Sequence, residues 1–357
     1  MNAGPSKPRF PGFDILRIFA ALLVVFSHSF LIAEHSEANE PAQALTGEIF
    51  GVYGVMIFFV LSGFLITDSA IRSSSSASFW SKRLRRILPG FVVCNIVVML
   101  GVAPFYARVP LAEFLTHPEV WTQLLSTLGF ASSSLYLPDL IQIYDATTEE
   151  ALMLPIVLNG VLWTIRLELA CYALVGGLML LGLLRPAMVL VVLVFALTAA
   201  LAYGWQINEF LIGFYFLLPS FAVGMVFRLF CADVKVKGGF ALTSLAILVS
   251  LSLQVDNWHL LAPVLFAPLC ILPLIWVGQQ DNQVFDWLRQ YGDPSYGIYL
   301  WGWPLQQVLR AALGEGYSGY GFAALSMPLA LAAGYLSWHV IEKPFLRHRR
   351  VLQAAQA

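Results

Sequence analysis

An arginine and a histidine, Arg17 and His28, stand eleven positions apart in the otherwise apolar run from Asp14 to His28. Eleven residues make almost three helical turns, so in a helix the two side chains share one face about 16 Å apart. Ionisable groups inside apolar spans are costly and usually functional. One face thus offers a cation at one depth and, because an unperturbed imidazole titrates near neutrality, a general base at another. Each residue also has a plainer explanation. Arg17 can snorkel to the membrane edge and has Asp14 three residues back on the same face as a partner. His28 sits toward the far end of the run, where a neutral imidazole is tolerated. Neither explanation requires the shared register.

Two further clusters have the residue types for chemistry. Glu168 follows Asn159-Gly160-Val161-Leu162-Trp163-Thr164-Ile165-Arg166-Leu167 and falls well inside an apolar segment. A carboxylate there must face the protein interior, paired or protonated. Arg166, two residues away, is on a different face, so a simple intrahelical ion pair is not expected. Lys82-Arg83-Leu84-Arg85-Arg86-Ile87-Leu88-Pro89 stands at the mouth of another apolar run. As a basic cluster it marks the cytoplasmic side. As chemistry, Arg83 and Arg86 lie three apart on one helical face, and guanidinium groups hold phosphates bidentately. Cys94, Cys171, Cys231 and Cys270 show no disulfide or zinc spacing and read as small packing residues; no metal is expected.

The elements that position these groups must be membrane helices. Hydrophobic residues make up 59% of the chain and charged residues 11%, with a mean hydropathy of +0.76, too apolar for a soluble globular protein. No basic tract interleaved with aromatics suggests nucleic acid. Apolar runs near the twenty-residue bilayer length predict ten spans, at about 14–33, 50–69, 87–106, 160–182, 186–203, 209–229, 239–255, 259–277, 295–313 and 321–341. The fold class expected is all-α, polytopic, with about ten transmembrane helices. Lys7, Arg9, the 72–86 cluster, Arg185, Arg228, Lys235, Lys237 and the 343–350 tail fall on one side, and acid-rich loops on the other. That alternation predicts both termini in the cytoplasm. The first apolar run is read as a span, without a signal-peptide cleavage site. One domain is expected over 1–345, with an external loop at about 107–159 and a short basic tail at 346–357. Ser73 to Ser78 reads as a flexible linker, and 120–137, with Trp121, Phe130 and Tyr136, as a segment that lies on the membrane surface or dips into it.

Taken together and in order, these segments resemble the acyltransferase 3 family of membrane O-acyltransferases. The resemblance rests on Phe13-Asp14-x-x-Arg17 with His28; on Phe58-Phe59-Val60-Leu61-Ser62-Gly63-Phe64-Leu65; and on Arg83-Leu84-Arg85-Arg86-Ile87-x-Pro89. It continues with Leu162-Trp163-Thr164, Glu168 and Tyr172, then Ser295-Tyr296-Gly297-Ile298-Tyr299-Leu300, and closes on Glu342-Lys343-Pro344. It implies transfer of an acyl group, most often acetyl, from cytoplasmic acyl-CoA to a hydroxyl of a carbohydrate or lipid-linked glycan. It also implies that the Arg17/His28 and Arg83/Arg86 pairs are required, and that the chain is the stand-alone form without a fused hydrolase domain. The location expected is the bacterial inner membrane, among lipids.

On this reading Arg83, Arg86 and Arg17 hold the CoA phosphates, and His28 takes the acceptor's proton. Glu168 orients the imidazole or stabilises its charged form. Motif residues Asp14, Ser62, Trp163, Tyr172, Tyr296 and Tyr299 are placed around the substrate pocket. Direct transfer is preferred; an acyl-enzyme on Ser27, Ser62 or His28 stays open. The competing class is a secondary transporter of a small anion or glycan precursor, which needs the same intramembrane charges.

Overall fold

The structure, a computed structural model, describes residues 10–145, 154–202, 209–231 and 233–346. Lys7, Arg9, Glu149, Glu150 and the tail beyond Leu346 lie outside the described residues. The apolar runs fold as α1 (Phe13–Glu34), α2 (Pro41–Thr46), α3 (Phe50–Ile71), α4 (Ser76–Ile96), α5 (Leu111–Thr116), α6 (Pro118–Leu128) and α7 (Trp163–Leu180). The second half contributes α8 (Pro186–Ala202), α9 (Glu209–Phe230), α10 (Gly238–Gln254), α11 (Trp258–Gly278), α12 (Gln283–Gln290), α13 (Ser295–Leu313) and α14 (Gly319–Ser337). Among the described residues, seven helices are long and apolar enough to cross a membrane. These are α1, α3, α4 continued to Tyr106, α7, α9, α11, and α14 continued to Leu346. The protein is therefore an integral membrane protein and nearly all-α. Its described strands form one small antiparallel ribbon, β1 (Leu135–Tyr136) with β2 (Val157–Asn159).

Two local readings of the sequence need correcting, and two further segments take a form that it did not specify. The third span begins at Ser76, not near residue 87: the Ser75 side chain accepts the Ser78 backbone N–H at 3.1 Å and caps α4. The serine run is thus a helix start, and the whole basic cluster is helical. Second, the segment around Phe130 reaches inward, where Phe130 stacks on Phe91 of α4 with ring centroids 4.7 Å apart. Third, the stretch between the predicted eighth and ninth spans holds the amphipathic helix α12, capped by Asn282 through the Phe285 N–H at 2.9 Å. Fourth, the all-α expectation misses the β ribbon.

The core is centred on α3, which packs between α1, α7 and α9. Gly63 of α3 lies against the Phe221 backbone of α9, and Gly224 of α9 lies against the Val60 backbone of α3. Two glycines used reciprocally bring the helix backbones into contact, the close approach that small residues permit in membrane bundles. A methyl group at either position overlaps a main-chain carbonyl, which cannot swing away as a side chain would. Gly63→Ala is accordingly expected to cost about 1–3 kcal/mol by overpacking. Thermal unfolding in detergent checks this against Gly239→Ala, where a Cβ meets nothing within 4 Å. Equal midpoints for the two variants would refute the backbone contact.

Candidate active site

At the basic end of the bundle, where α1, α4 and α13 begin and α3 and α7 finish, lies a cavity of about 520 Å³. Arg17, Arg72, Lys82, Arg83, Arg85 and Arg86 line it, facing only Asp68 and Glu168 as carboxylates. A smaller chamber of about 50 Å³ shares Arg17, Ser62, Arg86, Glu168 and Tyr172 with it, so the second continues the first deeper into the bundle. Apart from Thr164, its remaining lining is apolar and aromatic, including Val55, Phe58, Tyr296 and Tyr299. The form is a funnel, charged at the mouth and greasy at the throat.

Ion pairing sorts the cations. Asp293, in the turn before α13, bonds Arg17 and lies 2.7 Å from Arg86. Arg86 also donates to Glu342 at 2.5 Å and has the Trp338 ring 5.2 Å from its guanidinium carbon. The π-helical turn Trp338–Glu342 presents that carboxylate, which further accepts the Ser337 hydroxyl at 3.1 Å. Gly292 makes the preceding turn possible: its φ is +98°, and a side chain there would run into the Trp338 indole. Burial alone would raise the Asp293 pKa, but Arg17 and Arg86, with two hydrogen bonds from Ser295, outweigh it and hold the carboxyl below its ordinary range. Arg17 therefore takes Asp293 as partner rather than Asp14, which instead lies 3.9 Å from Arg289 of α12. Asp68 is held by Arg228 at 2.7 Å and by Arg72.

Arg83 differs from these. Its Nε is buried without a hydrogen-bond partner, and among the described residues no carboxylate lies within ion-pair distance of it. The two arginines read as a pair thus both line the cavity in different states: Arg86 held by two acids, Arg83 with its donors unspent.

Glu168 faces the cavity as expected of an interior carboxylate. It accepts the Tyr172 hydroxyl, and Ser62 Oγ donates to it at 3.4 Å. Arg166 points elsewhere, over the Phe210 ring at 5.4 Å. Tyr296 donates to the Ile87 carbonyl at 2.9 Å, tying α13 to α4, and the Tyr299 hydroxyl lies 2.6 Å from Thr164 Oγ1. Both rings line the chamber. Two residues assigned to the pocket lie outside it. Trp163 belongs to a separate cleft with Arg166 and Phe210, and Asp14 lines neither cavity.

His28 stands beyond the throat. Its ring meets Trp303 edge to face at 4.9 Å, and Trp303 lies four residues past Tyr299 on α13, about 6 Å further along the bundle. Glu168 does not orient this imidazole. Ser27 packs at Gly51, whereas Glu168 meets Ser62, eleven residues and about 16 Å away along α3. Sequence reasoning missed Asp293 and Glu342 as partners of the arginines; the signal available was their place in the two closing motif fragments.

Comparison with known proteins accords with this arrangement. A protein of Shigella phage Sf6 named "O-acetyl transferase" is 28% identical, covering 94% of this chain and 95% of its own. "Nodulation protein 10" of Rhizobium leguminosarum bv. viciae is 30% identical over 98% of each chain. No solved structure matches. The acyltransferase 3 family, described as an acyltransferase domain, matches residues 10–339, so the chain belongs to that family of enzymes.

Proposed function

We propose that the protein is an O-acetyltransferase that takes acetyl from cytoplasmic acetyl-CoA and delivers it to a hydroxyl of a glycan or lipid-linked saccharide. The single observation that carries this reading is the funnel. Its mouth has a half-buried arginine whose buried Nε has no partner, among further cations, and its apolar throat runs toward His28 in a chain of the acyltransferase 3 family. The name of the phage relative supports acetyl as the acyl group and oxygen as the acceptor atom. Family membership favours acyl transfer over anion transport.

The membrane arrangement follows from the same reading. Seven long spans together with α13 and the shorter apolar helices α8 and α10 make ten, with both termini cytoplasmic in a bacterial inner membrane. Exposed Val191, Val194 and Phe195 on α8 and Phe240 and Leu242 on α10 suit lipid contact. Arg83 takes a CoA phosphate at the cytoplasmic mouth, and Arg17 and Arg86, fixed by Asp293 and Glu342, shape the cavity and set its field. The pantetheine arm lies in the throat past Ser62, Glu168 and Tyr172. As the acceptor oxygen attacks the thioester carbonyl carbon, His28 takes its proton; the C–S bond breaks, and the CoA thiolate recovers a proton as it leaves.

Arg83→Ala is expected to weaken acetyl-CoA binding about 10- to 100-fold, the worth of a charge-assisted hydrogen bond, and to flatten its dependence on salt. Calorimetric titration of the detergent-solubilised protein with acetyl-CoA at two ionic strengths measures both. Unchanged affinity would leave Arg83 a topology determinant alone.

A further inference from the structure

Two helical turns beyond His28 and Trp303, at the end of the bundle opposite the basic cavity, polar groups gather that the transfer step does not use. On α13, Trp303, Gln307 and Arg310 are four and then three residues apart and so share one face. Just past the end of α1, His35 is its left-handed C-cap, with φ of +55°, seven residues and about 10 Å beyond His28. Tyr144 comes in from the segment after β1. Its ring lies parallel to His35, with centroids 5.9 Å apart, and 5.0 Å from the Arg310 guanidinium carbon.

Each of these four side chains has a buried polar atom with no partner among the described residues: Gln307 Oε1, Arg310 Nε, Tyr144 Oη and His35 Nε2. Arg310 is only 3% exposed, and its one ion pair among the described residues is to the exposed Glu315, at 3.4 Å. Gln307 spends its amide donor on the Leu154 and Val157 carbonyls and keeps its acceptor. A guanidinium buried for packing alone carries a desolvation penalty that such an arrangement does not offset. Burial keeps the Tyr144 hydroxyl protonated, and burial with Arg310 nearby lowers the His35 pKa against the opposing pull of Glu315. The cluster therefore presents one cation, one anion, a phenol, a neutral imidazole and an amide carbonyl, with no net charge. Alternating donors and acceptors without net charge match a polyhydroxylated sugar ring better than an anion.

We propose that Gln307, Arg310, Tyr144 and His35 form an acceptor subsite that holds a neutral, hydroxyl-rich sugar unit while a hydroxyl of that unit or its neighbour reaches His28. The inference rests on the acyl-transfer reading. Its test uses purified full-length protein, radiolabelled acetyl-CoA, and polysaccharide extracted from the envelope of the source cells as the varied acceptor. Tyr144→Phe and Arg310→Lys are each expected to raise the apparent KM for the polysaccharide about tenfold, with the KM for acetyl-CoA unchanged. An unchanged polysaccharide KM in variants of an active enzyme, or an equal rise in both KM values, overturns the subsite and leaves acyl transfer standing. No label transferred by the unmodified protein overturns both. Should Arg310→Lys fail to fold, Tyr144→Phe decides alone, because it removes one oxygen and leaves the ring.

Discussion

His28→Ala is expected to lower acetyl transfer about 10²- to 10⁴-fold, the usual contribution of a positioned general base, while acetyl-CoA binding stays near that of the unmodified protein. The split follows from geometry. His28 lines neither cavity and meets Trp303 one turn past the Tyr299 that closes the chamber, so removing it leaves the arginine-lined mouth untouched. Label transfer to envelope glycan measures the first quantity and titration with acetyl-CoA the second. Equal transfer by the two proteins would remove His28 from the chemistry, and a matching loss of binding would make its role structural.

Asp293→Leu is expected to destabilise the protein by about 3–5 kcal/mol, because breaking a buried ion pair leaves an uncompensated charge. Here one carboxylate serves two guanidiniums, Arg17 on α1 and Arg86 on α4, from a turn leading into α13. Combining the change with Arg17→Met removes charges of both signs, so the double variant should be more stable than the sum of the single losses predicts. Thermal unfolding in detergent gives all three values; strict additivity would show that the bridge carries no energy. The pH dependence has a definite sign. A carboxyl held below its ordinary pKa contributes stability that is full above the unfolded-state value and is lost as pH falls through the folded-state value. The unmodified protein should therefore lose more stability on acidification than Asp293→Leu does.

Much of the bundle could be read from apolar runs of bilayer length. The run predicted at 295–313 coincides with the helix α13, which is not among the seven long apolar helices, and those at 209–229 and 259–277 fall within one residue of α9 and α11 at each end. Hydropathy failed where a membrane helix starts polar. The first turns of α4 carry serines and a dense basic cluster, so the apolar signal begins only near Ile87 although the helix begins at Ser76. Residues of the candidate site were legible as types and registers: Arg17, Arg83 with Arg86, and an interior Glu168, all of which line the cavity. Their partners were not. Spacing rules of three and four residues see only neighbours on one helix, and so offered Asp14 to Arg17; the carboxylate that bonds it is 276 positions away. The same limit hid the convergence of His35, Tyr144 and Arg310, which come from three separate segments.

The glycine contact between α3 and α9 bears on how the funnel can change width. With no side chains between the two backbones, neither helix can roll or slide without collision, so α3 behaves as a fixed rail carrying Ser62 and the Val55–Phe59 wall. The facing wall is joined differently, through hydrogen-bonded charges that meet at Asp293 and can exchange partners. Any change in the width of the cavity therefore falls to α4 and α13, and the bundle divides into a stationary half and an adjustable one along the line of the funnel.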